Sequence, residues 1–142
     1  MGLKPSHRHK ARHYAVQAVY QWQMSGNETA DIENQFIETI NPKKVEVPFF
    51  LDMLRGTLTQ LTDLDAIISK HIDRDIEQVD PVERAILRLS TWELKERHDV
   101  PYKVVINEAL ELAKVFGAED GHKYVNGVLD KAAKGLRPLE VR

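Results

Sequence analysis

Apolar side chains recur three and four positions apart along nearly the whole chain, which is the spacing of one face of an α-helix. No segment keeps the two-residue alternation of a half-buried strand. A first helix is predicted to begin near Ser6 to Arg8 and to run to about Met24. Ala11, Tyr14, Ala15, Ala18, Val19 and Trp22 trace its buried face, and Ser25, Gly26 and Asn27 stop it. A weaker helix carries Ile32, Phe36, Ile37 and Ile40 as far as Asn41-Pro42. A third pattern starts around Pro48 and holds phase through Phe50, Leu54, Leu58, Leu61, Leu64 and Ile68 almost to Ile72, with Thr62-Asp63 as a candidate break. Asp80-Pro81-Val82-Glu83 is the clearest helix start: Asp80 caps, Pro81 takes the first turn, and Glu83 is placed to complete a capping box. Val82, Ala85, Ile86, Leu89 and Trp92 or Glu93 then follow one side as far as about Arg97.

After the connector His98-Asp99-Val100-Pro101, two more amphipathic stretches follow. Val105, Ala109, Leu112 and Phe116 form the first stripe, Gly117 is expected as its left-handed stop, and Asp120 is expected to cap the next helix. Tyr124, Val125, Val128, Leu129 and Ala132 form the second, ended by Gly135 and Pro138. The pattern predicts an all-α protein of six or seven helices, a single domain over residues 1–142. The linker around Arg74 to Val79 divides it into two packed three-helix halves, approximately 1–76 and 77–142. Asn107, Asn126 and Gly127 are expected to serve contacts between neighbouring helices.

A chain of 142 residues is long enough to bury a core without metals or crosslinks. It has no cysteine, which excludes disulfides, thiolate metal sites and a cysteine nucleophile. No run approaches the length needed to span a bilayer, nothing resembles an export signal, and a cytoplasmic setting is expected. The net charge of −2 hides an asymmetry: residues 1–27 contain no acidic residue and carry +4, leaving −6 on the rest. A basic end sits on an acidic body.

That basic end supplies the main chemical clue. Lys and Arg clustered at a helix start suit phosphates, giving affinity with a steep salt dependence. Cations are also unfavourable at a helix N-terminus, so something external is expected to compensate them. The bland alternative is a solvated tail. His9 and His13 lie one helical turn apart, but no carboxylate neighbours them in sequence to orient a metal ligand, and no metal is expected there. Tyr124 beside Lys123 offers an aromatic face next to a cation, suited to stacking on an unpaired base or, alternatively, to packing in the hairpin core. There is no glycine-rich nucleotide loop or catalytic triad motif, so neither an enzyme nor a cofactor is indicated.

The stretch from Val104 to Gly117, with Lys123-Tyr124-Val125-Asn126-Gly127-Val128-Leu129-Asp130, closely resembles the C-terminal signature of the NusB family of transcription antitermination factors. Arg12, Ala15, Gln17, Ala18 and Tyr20, the run Glu83 to Leu89, and Trp92-Glu93-Leu94 extend the likeness from Arg8 to about Lys134. The resemblance implies two helical bundles and a non-enzymatic role. Such proteins act with NusE, a ribosomal protein, on the boxA element of nascent RNA within the transcription elongation complex, supporting ribosomal RNA transcription. It also implies RNA contacts at Arg8, Lys10, Arg12, Lys123 and Tyr124, with Asp120 and Arg88 as neighbours, and a NusE-facing surface at Tyr20, Glu77 and Glu83. Where this chain has Gly121 the family often has serine, where it has Tyr124 often phenylalanine, and His9 replaces what can be arginine. Two other readings remain at this point: an RNA-binding module like that of some ribosomal RNA cytosine methyltransferases, and a structural oligomerisation module with a merely solvated arm.

Overall fold

The computed structural model describes residues 4–141, and all regular structure among them is helical. Seven α-helices follow one another: α1 (Pro5–Ser25), α2 (Thr29–Thr39), α3 (Val47–Thr59), α4 (Leu61–Ser69), α5 (Pro81–Glu96), α6 (Tyr102–Phe116) and α7 (Gly121–Leu136). A short 3₁₀ turn, Ile76–Gln78, precedes α5. Helices α1 to α3 pack on one another, as do α5 to α7. Helix α4 lies between the groups, touching α3, α5 and α7.

Local chemistry accounts for several boundaries. Gly26, at φ 69°, closes α1 in the left-handed conformation that glycine adopts without a Cβ clash. The long third pattern divides at Gln60, ahead of the expected Thr62-Asp63 break, where φ −101° and ψ 19° leave the helical region. The Asp80 carboxylate accepts hydrogen bonds from the backbone N–H groups of Val82 and Glu83 at 3.1 and 3.2 Å. Glu83 does not complete the box, because its carboxyl turns instead towards Gly121 of α7.

Helix α5 departs from the single buried face expected of it. Its residues from Arg84 to Leu94 are buried on every side, because α1, α3, α4, α6 and α7 all pack against it. The core around it contains Phe49, Phe50, Met53, Leu54, Leu64, Ile86, Leu89 and Leu129. Among the polar groups drawn into this position, Glu93 and Arg88 find partners, whereas Thr91 Oγ1 and Trp92 Nε1 have none among the described residues. Arg137, 2% exposed, donates to the backbone carbonyls of Leu94 at 2.6 Å, Arg97 at 2.8 Å and Val100 at 2.9 Å, satisfying the carbonyl end of α5.

Four details of the signature hairpin also differ from expectation. Gly117 is extended, at φ −89° and ψ 175°, and the left-handed residue of the connector is Asp120, at φ 65°. Asp120 makes no side-chain cap and pairs with Lys123 at 3.2 Å. Asn107 is exposed, and a Cβ at Gly127 would meet nothing within 4 Å, so neither mediates close helix packing. The close approach is at Gly56, where a Cβ would lie 2.1 Å from Trp92 Nε1.

Candidate functional site

The first turns of α1 carry Arg8, His9 and Arg12 into contact with acidic residues that arrive from distant parts of the chain. Arg8 Nε donates to Glu46 at 3.0 Å, and Arg8 Nη1 lies 3.4 Å from Asp99. Arg12 donates through Nε to Glu93 at 2.9 Å and through Nη2 to the other oxygen of the same carboxylate, while Nη1 stands 3.6 Å from Glu108. The guanidinium groups of Arg8, Arg12 and Arg97 surround the ring of Phe49, with centroid distances of 4.5, 5.0 and 4.8 Å. For Arg8 and Arg12 the compensation expected from an external partner is therefore internal.

Burial sorts these cations into two kinds. Arg12 is 3% exposed; burial opposes its charge, but hydrogen bonding and attraction from Glu93, joined by Glu108, prevail and raise its pKa. The Arg97 hydrogen bond holds the Asp99 carboxyl far below the usual carboxylate range. Arg8 is half-buried, and Lys4 and Lys10 are exposed. Arg88, assigned by resemblance beside the RNA contacts, is also buried: it grips Asp65 with two bonds of 2.9 Å and Gln23 with one of 3.0 Å. Buried guanidiniums already satisfied by carboxylates are poorly placed to meet a phosphate, so Arg12 and Arg88 hold helices together at this site.

Along the same face of α1, His9 Nδ1 meets Glu108 at 2.6 Å, His9 Nε2 meets His13 Nε2 at 3.1 Å, and His13 packs edge-on against Phe116 at 5.4 Å between centroids. Burial, reinforced by His9 and opposed by Glu108, lowers the His13 pKa. Phe116 ends α6 immediately before the connector to Asp120. The basic arm and the connector are thus linked through one continuous run of side chains.

At the start of α7, Lys123 is exposed and Tyr124 half-buried. The Arg74 guanidinium lies 5.0 Å from the Tyr124 ring centroid, occupying the approach expected for a base, and the Tyr124 hydroxyl is buried without a hydrogen-bond partner among the described residues. Burial raises the Tyr124 pKa against the pull of Arg74. Beside it a cleft of about 340 Å³ is lined by His71, Lys123, Tyr124, Gly127 and Lys131. Lys131 escaped notice in the sequence, although Lys123, Gly127 and Lys131 repeat every four residues. Burial and the nearby Lys131 and Lys70 lower the His71 pKa, and Asp73 lines the same cleft. A Cβ at Gly121 would lie 3.1 Å from Glu83 Oε2, so a serine there would face Glu83. Burial, with Asp80, raises the Glu83 pKa.

Tyr20 lines a separate apolar groove of about 500 Å³ with Val16, Met24, Phe36, Val82 and Phe116. Glu83 turns its carboxyl towards Gly121, and Glu77 is exposed on the 3₁₀ turn, 3.7 Å from Arg84 and 4.0 Å from Arg88. No helix is long and apolar enough to cross a membrane among the described residues.

The model of the NusB family matches residues 9–134. A transcription antitermination protein NusB of Pseudoalteromonas translucida is 56% identical over 135 residues, covering 95% of this chain and 99% of that one. One from Shewanella woodyi is 55% identical over 129 residues, covering 91% and 96%. Among solved structures, T. maritima NusB superposes with a TM-score of 0.85 at 30% identity, covering 99% of this chain and 98% of its own. The NusB chain of a complex of antitermination factors NusB and NusE with double-stranded RNA gives 0.84 at 25% identity, covering 93% and 99%.

Proposed function

This chain belongs to the NusB family, and on that premise we propose that it is a non-enzymatic transcription antitermination factor of the cytoplasm. It binds boxA-type RNA together with NusE and supports ribosomal RNA transcription within the elongation complex. The observation that carries this reading is the 56% identity extending over 99% of an antitermination protein. The likeness to the NusB of a NusB–NusE–RNA complex supports both partners.

On the RNA side, exposure favours Lys10 and Lys123 as phosphate contacts, while Arg8 stands half-buried between Glu46 and Asp99. Tyr124 contributes its ring once Arg74 moves aside or sandwiches the base, and Asp120 fixes Lys123. Arg12 and Arg88 contribute by positioning. On the protein side, Tyr20 supplies rigid contact area over its groove, and Glu77 and Glu83 supply charge for a basic partner.

Binding of a boxA RNA and a scrambled control, measured at fixed salt with and without NusE, tests the proposal. The expected result is a preference for boxA that NusE strengthens. Equal and weak binding of both RNAs under all conditions would sink it.

A further inference from the structure

We propose that His9 and His13 together form a binding site for a divalent transition-metal ion of the zinc and copper class. The two residues stand four apart within α1, and their Nε2 atoms converge to 3.1 Å. Two imidazoles on one ion, each at about 2.0–2.1 Å, stand about 2.9 Å apart at a right angle and about 3.4 Å apart at the tetrahedral angle. The observed separation falls within that window. A proton shared between the nitrogens would give a similar distance, so a second feature has to separate the two readings.

That feature lies on the far side of His9. Glu108, brought in by α6, sits 2.6 Å from His9 Nδ1. A carboxylate that accepts a hydrogen bond from Nδ1–H fixes the tautomer, leaving a lone pair on Nε2, and the same carboxylate–imidazole pairing orients metal-bound histidines. Nothing near His9 in sequence announces this partner, which is 99 positions away. Glu108 is itself steadied by Arg12 at 3.6 Å, and Phe116 holds the His13 ring. When the ion binds, it replaces the proton between the two Nε2 atoms, which moves to His13 Nδ1, so a neutral pair releases none.

The surroundings set the character of the site. His9 is 40% exposed in its side chain, and no group of three metal-ligating side chains occurs among the described residues. Water therefore completes the coordination, and the site is open. The nearest arginines do not repel the ion with a free charge, because Arg12 is paired with Glu93 and Arg8 with Glu46.

Calorimetric titration of the full chain with Zn²⁺ at pH 7.5 is expected to show one ion per chain. His9→Ala and His13→Ala each remove that isotherm, while His7→Ala and His98→Ala leave it unchanged. Glu108→Gln raises Kd by ~10- to 100-fold, as the loss of an orienting carboxylate does. A second measurement is independent of any variant's stability: imidazole ¹⁵N spectra of the unaltered protein should show Zn²⁺ moving the Nε2 resonances of His9 and His13 alone. Absence of binding, shifts spread over several histidines, or a Glu108→Gln affinity equal to the parent's would each overturn the proposal in favour of a proton-bridged pair.

Discussion

Arg12 and Lys10 lie two residues apart on one helix, and their surroundings give them different work. Arg12 is sealed against Glu93, and removing one member of a buried pair strands the other. Arg12→Ala is expected to lower the free energy of unfolding by about 3–5 kcal/mol, read from urea denaturation. Lys10→Ala should change stability by no more than about 0.5 kcal/mol but reduce the salt slope of RNA binding by about 1. An unchanged slope would remove Lys10 from the phosphate contacts. His13 brings pH into the same region. Its pKa is lowered in the fold, so the unfolded chain takes the proton more readily; the stabilisation is complete above about pH 6.5 and is lost as pH falls through the folded-state value. In the presence of a chelator, His13→Asn should flatten the dependence of unfolding free energy on pH between 7 and 5. The positive charges at the start of α1 were plain in the sequence, whereas the carboxylates facing them were not, because they come from 38 to 99 positions away.

Helical existence and order were legible from spacing and caps, as Asp80-Pro81 and Gly26 illustrate. The surroundings of each element were not. Helix α5 follows an amphipathic pattern, yet five helices enclose it, and its spacing alone gave no sign that Arg84 and Arg88 are buried as well. Glycine shows the same limit. Gly127 looked like a packing glycine but has open space beside it, while Gly56 drew no notice and lies against Trp92. Gly127→Ala is therefore expected to raise stability by about 0.5–1 kcal/mol through helix propensity, measured by thermal or urea unfolding. Gly56→Ala should lower it by about 1–3 kcal/mol and shift Trp92 emission, because a rigid indole blocks the added methyl. A neutral Gly56→Ala would show that Trp92 can move.

At the scale of the whole molecule, α5 joins the two helical groups, and α4 touches both. We expect the approximate halves 1–76 and 77–142 to unfold as one cooperative unit, since separating them would expose the faces that α5 buries against α1 and α3. Trp22 on α1 and Trp92 on α5 make this measurable: single-tryptophan variants carrying Trp22→Phe or Trp92→Phe should show denaturation profiles that coincide with circular dichroism. Separate midpoints would mean two domains. The amino-acid sequence by itself determined the helical class, the order and approximate ends of the helices, the asymmetric charge and the family likeness, because those depend on residue identity, local spacing and ordered motifs. Only the tertiary structure decided which cations remain exposed, that Asp120 takes the left-handed position, that Arg74 covers Tyr124 and that Glu108 reaches His9. Each depends on where packed helices bring residues together, and local periodicity leaves those distances open.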